Sequence, residues 1–518
     1  MHKRSATIGE EPGTPGHGGA TLTGMPDAAA HADPHAAALP PAAPPVYVIG
    51  GGPGGLATAA ALQAYGVRAV VLEKSDAVGA SWRRHYDRLR LHTTRRLSAL
   101  PGLPIPRAYG RWVARDDVVR YLEQYARYHR LEIVTGVEVR RIDRAGGADA
   151  GRADASGRAA AATAGAQPGA GTNAQVSVAV GAAGTAGRAD PAAGGTGATV
   201  GAGRPASPER AASPGRPAGT TAGGAGDEAA CRAMGQPPGT GGWVLHANGG
   251  RALRSPSVVV ATGYNHTPYL PNWPGRTGYT GTLLHAAHYR NALPYAGKDV
   301  LVVGTGNTGA EIAVDLAHGG AARVRLAVRT PPHIVRRSTA GWPAQATGIL
   351  IRHLPPWAVD AAARAVAHLA VPDLTGYGLP APETGLYTRA LQGAIPVQDV
   401  GLIEAVQAGA VQPVAAVESF DGGTVRLAGG DAIDPDVVIA ATGYRRGLDT
   451  LVGHLGVLDA RGNPLAHGPD TLPRAPGLRF TGYTNPISGM FRELALDACR
   501  IARAVVRDEA SAHALAAL

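Results

Sequence analysis

The sequence predicts an α/β protein with two Rossmann-like dinucleotide-binding domains, and three observations carry that prediction. A glycine-rich turn stands between a short apolar run and a helix-like stretch at Gly50, and a second copy follows at Gly304. Each copy leads into another β-branched run, the order of a βαβ unit. Between the two copies lies a long stretch without core-forming side chains, so the globular part of the chain is interrupted.

Taken in order, residues 1–44 mix His, Pro, Gly and Ala and read as a disordered extension, with Met25 an alternative start. They hold no apolar h-region, so no signal peptide is expected. "PVYVIGGGPGGLATAAALQAYGVRAVVLEKS" then reads strand, turn, helix, strand, with glycines at Gly50, Gly52 and Gly55. The first permits a tight turn, the second lets the backbone approach a pyrophosphate, and the third lets helix and strand pack closely. The helix N-terminus adds amide donors and a positive dipole. Glu73 ends the second strand, 21 residues after Gly52, placed to accept hydrogen bonds from a ribose diol.

A strand-like "GVEVRRI" ends at Ile142, and "GWVLHA" resumes around Trp243. The residues between contain no Leu, Ile, Phe, Tyr or Trp. Such a stretch cannot bury enough apolar surface to offset its conformational entropy. It is expected to be a disordered insert at a hairpin tip, where closure entropy grows only with the logarithm of loop length.

The second copy, "KDVLVVGTGNTGAEIAVDLAHGGAARVRLAVRT", places Gly304, Gly306 and Gly309 between strand and helix. Arg329 ends its second strand, 23 residues beyond Gly306, where the first copy has an acid. A guanidinium there would pair with a 2′-phosphate and favour NADPH over NADH. The same arginine also reads as an exposed strand-end charge. Two fingerprints imply two dinucleotides, with hydride passing from NADPH to a flavin.

Composition narrows the field by exclusion. The 518-residue chain has 49 Lys+Arg against 39 Asp+Glu, a net +10, but the basic residues are scattered and almost all Arg. No nucleic-acid partner is expected. The two cysteines, Cys231 and Cys499, form no C-x-x-C pair and no metal-ligand spacing, which argues against a dithiol redox centre and a zinc site. No run of about 18 apolar residues appears, so no membrane span is expected, and a soluble cytoplasmic protein follows.

The stretch between the two copies carries a resemblance. "YTGTLLHAAHY" places Tyr279, Gly281, His285 and Tyr289 in the order F-x-G-x-x-x-H-x-x-x-Y, with Tyr279 standing for Phe. This resembles the identifying motif of the flavin-containing monooxygenases. The Tyr at position 289 looks like the heteroatom-oxidising branch; Baeyer–Villiger enzymes usually carry Trp. "VLEKSDAVGASWRRHYDRLRLHTTRRLSALPG" is similar to the family's FAD segment, with Gly79 and Trp82 in its G-x-x-W turn. "VVATGY" at Thr262–Tyr264 and "IAATGY" at Thr442–Tyr444 resemble the paired crossings between the FAD and NADPH domains. "RFTGYTNPISGMFRELALDACRIARAVV" resembles the C-terminal FAD piece, with Gly482 near the flavin. The likeness covers nearly everything outside 1–44 and 143–242 and extends to plant YUCCA-type and related bacterial members.

The resemblance implies site residues and a chemistry. Asn307 matches the family's G-x-G-N-[ST]-G turn and is expected, with His92, to be catalytic, although a simple turn asparagine reads the same way. His92, in "HTT", stands where many members carry an active-site Asn, and is expected to line the flavin pocket as a hydrogen-bonding group. His285 is expected at the domain junction, not in catalysis. Val139 would lend backbone to the adenine of FAD, or simply pack in a strand. "PPWAVDAAARAVAHLAV" is expected to be an amphipathic cap helix over the NADPH domain. By resemblance, NADPH reduces FAD and O₂ then adds to give a C4a-hydroperoxide that oxygenates a small organic substrate. That substrate is an N/S heteroatom compound or a 2-oxo acid, with a ketone or a non-catalytic FAD/NADP-binding role as alternatives.

The expected layout is an extension over 1–44, FAD-binding parts at 45–142, 243–295 and 441–506, an insert at 143–242, an NADPH-binding domain at 296–440, and a tail at 507–518.

Overall fold

The computed structural model describes residues 44–146 and 242–516. The disorder expected for 1–44 and for most of 143–242 lies outside the described residues, as do Met25 and Cys231.

Along the chain come β1 (Val46–Ile49), α1 (Pro53–Ala64), β2 (Ala69–Leu72), α2 (Ala80–Arg83), α3 (Arg115–Tyr128) and β3 (Glu132–Val134). An antiparallel meander follows, β4 (Val139–Arg144), β5 (Trp243–Ala247) and β6 (Ala252–Ser255), and then β7 (Val258–Val260). The strand Leu478–Phe480 completes a five-stranded parallel sheet in the order Leu478–Phe480, β7, β1, β2, β3. Its central strands are short runs of Val, Ile and Leu, the pattern of parallel strands covered on both faces. α1 is buried from Gly54 to Leu62 because the sheet lies on one side of it and the terminal helix, Met490–Ala516, on the other. Its Gly and Ala residues let both neighbours approach closely, so no polar stripe is needed.

The terminal helix buries Phe491, Leu494, Ala498, Ile501, Ala502 and Val505, a helical stripe that packs on α1. It runs unbroken to Ala516, across the boundary expected at 506, so the last described residues prolong the helix.

In the meander, Arg144 pairs with Trp243, and Ala145 N donates to Gly242 O at 2.7 Å. The chain therefore leaves and re-enters the fold at adjacent points. Trp243 is fully buried, and its Nε1 donates to Pro476 O at 3.0 Å.

The second unit repeats the architecture. β8 (Thr267–Pro268) and β9 (Thr282–His285) precede β10 (Asp299–Val303), α4 (Asn307–His318) and β11 (Arg323–Val328). The five-stranded parallel sheet has the order Gln412–Ala415, β11, β10, Val437–Ala440, β9. β9 thus belongs to this sheet although it precedes the boundary expected at 296. The reason is that four residues of an edge strand, lying between turns, carry too little pattern to show which sheet they join. α5 (Ala344–Ile351) and α6 (Pro356–Ala370) follow as a cap, and α6 is the helix that the Ala-rich segment predicted. α6 buries Val359 and Asp360 and leaves Trp357 exposed. Among the described residues no helix is long and apolar enough to cross a membrane.

Candidate functional site

The two glycine turns have the same geometry. Gly50 and Gly304 have φ of +112° and +113°, a region that disfavours side chains. A Cβ on Gly50 would lie 2.5 Å from Ala261 O, and one on Gly304 would lie 2.6 Å from Ala441 O. A Cβ on Gly55 or on Gly309 would meet the carbonyl of Gly50 or Gly304 at 1.9 Å, so helix and strand touch through these residues. Gly52 and Gly306 differ from them. A Cβ on either would meet nothing within 4 Å, and both residues face open space at a helix N-terminus. Such a cradle fits a pyrophosphate held by backbone amides.

The strand ends diverge. Glu73 is buried and turns back onto the first turn, where Oε2 accepts from Gly51 N at 2.6 Å and Oε1 from Ser75 N at 2.8 Å. Arg329 is exposed and makes no hydrogen bond or ion pair with the described residues.

A cleft of about 2060 Å³ runs between the two units. From the first unit it is lined by Gly50, Gly52, Glu73, Trp82, His92, Val139 and Gly482, and from the second by Gly306 and Asn307. The other predicted residues, Gly55, Gly304, Gly309 and Arg329, lie outside its lining, the first three because they serve packing within the turns. Val139 both lines the cleft and packs in the core. Trp82 packs edge-on to Phe491, ring centroids 5.6 Å apart, and Gly79 N donates to Gly51 O, so the G-x-x-W turn leans on the first glycine turn.

Three buried polar atoms that line this cleft have no partner among the described residues: Thr481 Oγ1, His333 Nε2 and Gln398 Oε1. A buried polar atom without a partner is costly, so the cleft fits polar ligands on both sides. Thr481 lies in the first unit, and His333 and Gln398 in the second, which matches one dinucleotide at each turn.

Asn307 and His92 both line the cleft, yet neither amide nor ring is wholly free. Asn307 Nδ2 donates to Pro396 O at 3.2 Å and its Oδ1 accepts from Gln398 N at 2.7 Å, which ties the second turn to the strand Val397–Asp399. That makes Asn307 a positioning residue in this geometry. His92 Nε2 donates to Glu311 Oε1. Glu311, on α4 and only 4% exposed, also receives Tyr86 Oη–H at 3.1 Å. Burial, followed by the Glu311 charge, holds the Tyr86 phenol well above its ordinary pKa, so it stays a donor. One turn on, Asp315 accepts from Tyr289 Oη at 2.6 Å and pairs with Arg88 at 3.5 Å. Nearby His85 is pushed down to about 4, first by burial and then by Arg290 and Arg115, and is neutral at pH 7.

The motif at 279–289 does junction work. His285 is buried, its Nδ1 accepts from Ala287 N and its Nε2 donates to Gly443 O at 3.0 Å, which joins β9 to the second crossing. The first crossing is held by Thr262, whose Oγ1 is 2.7 Å from Tyr483 Oη. β8 pairs with Tyr444–Arg445, so the two crossings are stitched together.

Sequence reasoning missed Glu311, Tyr86 and Gln345. Gln345, 2% exposed on α5, accepts from Thr94 N at 3.0 Å and donates to Ser488 O at 2.8 Å, pinning the cap to the first unit. A signal did exist for Glu311: two carboxylates one turn apart, Glu311 and Asp315, in an otherwise apolar helix expected to be buried.

Residues 250–448 match the family model "Flavin-binding monooxygenase-like", and residues 47–150 match "Pyridine nucleotide-disulphide oxidoreductase". The chain is 31% identical to indole-3-pyruvate monooxygenase YUCCA1 of Oryza sativa subsp. japonica, over 85% of this chain and 87% of that protein. Among solved structures, it is similar in fold to a flavin-containing monooxygenase from Stenotrophomonas maltophilia, with a TM-score of 0.54 and 19% identity over 89% of this chain and 98% of that one. It is similar also to cyclohexanone monooxygenase, with a TM-score of 0.56 and 16% identity over 90% of this chain and 88% of that one.

Proposed function

The chain belongs to the flavin-containing monooxygenase family and is an FAD- and NADPH-dependent monooxygenase; on that premise we propose that it oxygenates a 2-oxo acid with an apolar or aromatic side chain. The observation that carries this reading is the 31% identity to a rice indole-3-pyruvate monooxygenase across 87% of its length. The balanced reaction is R-CH₂-CO-COOH + NADPH + H⁺ + O₂ → R-CH₂-COOH + CO₂ + NADP⁺ + H₂O.

Bound flavin supplies the activation of O₂, and the protein binds, orients and shields. Gly52 and the N-terminus of α1 would hold the FAD pyrophosphate, with Glu73 at the ribose and Thr481 and Gly482 along the rest. Gly306 and the N-terminus of α4 would hold the NADPH pyrophosphate, and Arg329 its 2′-phosphate. His92 would offer a hydrogen bond at the flavin, and Asn307 would keep the second turn in register. The cap lines the cleft with Ile351, Val359 and Ala363, an apolar wall suited to the substrate side chain. Arg90, Arg336 and Arg364 also line the cleft and offer cations to a carboxylate.

A second reading, oxygenation of a sulfide or amine, is favoured by Tyr289 in the 279–289 motif. Incubation of the holoenzyme with NADPH, ¹⁸O₂ and either an arylpyruvate or an aryl sulfide separates the two. One ¹⁸O in the shortened acid, with one CO₂ per NADPH, supports the first. Labelled sulfoxide with no decarboxylation supports the second and overturns the first.

A further inference from the structure

His92 and Glu311 sit on opposite sides of one wall. His92 lines the large cleft, whereas Glu311 lines a second cavity of about 230 Å³. That cavity is lined also by Asp87 and Arg90, both exposed, so it opens toward solvent. The two side chains meet through Nε2 and Oε1, and His92 Nδ1 has no partner among the described residues. Leu89 and Arg90 line both cavities, which therefore share a wall, and in it Tyr86 is 3% exposed and Leu91 5%.

The chemistry needs such a path. Reduction of O₂ by NADPH consumes one proton per turnover, whether or not an organic substrate is present: NADPH + H⁺ + O₂ → NADP⁺ + H₂O₂. With both dinucleotides bound, the cap and the cofactors would exclude from the cleft the water that could otherwise deliver it. A buried carboxylate beside an imidazole is a common proton carrier, and Glu311 has no guanidinium within ion-pair distance among the described residues.

We propose that Glu311 and His92 form a two-residue proton relay from the second cavity through the wall into the cleft. In one transfer the Glu311 O–H bond breaks as His92 Nε2–H forms, while His92 Nδ1–H breaks as an O–H bond forms on an oxygen anion in the cleft. With Nε2–H donating to the carboxylate the pair stands after transfer; rotation of the imidazole and a new proton from the cavity then reset it. Tyr86 holds the other carboxylate oxygen and so aims Oε1 at the ring. Arg337, which also lines the second cavity, keeps the carboxylate in positive surroundings between transfers. Arg337 is itself pushed down to about 10, chiefly by burial, and its Nε has no partner among the described residues.

The proposal rests on the monooxygenase assignment and not on the choice of substrate, so the test uses none. NADPH-reduced holoenzyme is mixed with O₂ in weakly buffered solution containing a pH-indicator dye, and proton uptake is followed beside flavin reoxidation. Glu311→Gln keeps an acceptor for Tyr86 and cannot carry a proton. It should slow both uptake and flavin reoxidation at least about ten-fold, with reoxidation, followed by flavin absorbance in ordinary buffer, recovering on adding tens of millimolar formic acid or imidazole. Copurified FAD, NADP⁺ affinity by calorimetry and thermal melting should stay at wild-type values. His92→Gln, at a half-buried position, should show the same loss and the same rescue. Uptake at the wild-type rate in either variant would overturn the relay. So would slowed reoxidation that neither acid rescues, because the pair would then be structural. Either result leaves the 2-oxo acid reading untouched.

Discussion

At the first turn, Gly50, Gly52 and Gly55 make a close-packed elbow with one open face, and Gly304, Gly306 and Gly309 repeat it nearly to the degree and the tenth of an ångström. The strand that follows ends differently in each. In the first unit a buried carboxylate folds inward and binds the turn's own backbone. In the second a guanidinium points outward with no protein partner among the described residues. On the proposed reading the difference is a division of labour: the elbow would serve the pyrophosphate that both cofactors share, and the strand end would distinguish them. A 2′-hydroxyl would meet an acceptor, and a 2′-phosphate a cation.

The comparison breaks most cleanly at the open glycines. Gly52→Val places its side chain where nothing of the protein stands, so the apoprotein should fold while FAD binding weakens at least about 100-fold. Protein that purifies colourless and melts cooperatively is the expected result; full flavin occupancy would put the flavin elsewhere. Gly306→Val should leave the yellow colour and abolish reduction by NADPH.

Next in size is Arg329→Ala. Losing a charged hydrogen-bond partner of the 2′-phosphate should cost about 2–3 kcal/mol, about 30- to 150-fold in NADPH affinity. NADH has no such phosphate and should be used as before. The measurement is kcat/KM for flavin reduction with each coenzyme at one ionic strength. Equal losses with both would make Arg329 a structural charge.

A smaller effect separates the units by pH. His85 lies in the first unit with a folded pKa near 4, below the unfolded value near 6.5. The unfolded chain therefore takes up its proton first. The stability that the neutral ring contributes is complete above pH 6.5 and is lost as pH falls toward 4. Between pH 7 and 5 the loss should be about 1–2 kcal/mol after allowance for partial exposure. Denaturant unfolding at the two pH values should show a shallower slope in His85→Gln; an unchanged slope would assign the acid sensitivity to other groups.

The smallest effect expected is none. Ala145 and Gly242 already meet across the β4–β5 pair. Replacing 147–241 with a short turn should keep FAD occupancy and NADPH affinity within about two-fold, since loop length enters closure only logarithmically. Loss of flavin in the shortened protein would contradict this.

Both elbows and their strands were legible because backbone chemistry demands particular residues at particular spacings. What a glycine fingerprint cannot encode is contact between units. Glu311 meets Tyr86 and His92 across 225 and 219 residues of chain, and Gln345 reaches Thr94 and Ser488. Such pairings depend on how the units dock, and no local period reports them. Asn307 shows the limit from the other side: its motif position was plain, but only the fold reveals that its amide is engaged by the backbone at 396–398.

The first sheet is assembled from the two extremes of the described chain, β1 near Val46 and the strand Leu478–Phe480, with α1 clasped by the terminal helix. During synthesis this has a temporal meaning. The second sheet holds all of its strands once residue 440 has emerged, and can close while the ribosome is still adding residues. The first sheet, begun earliest, must wait with its small-residue helix uncovered until the last 27-residue helix leaves the exit tunnel. Truncation even a few turns short of the terminal helix's end should therefore cost flavin loading first, in a chain whose second sheet is already built.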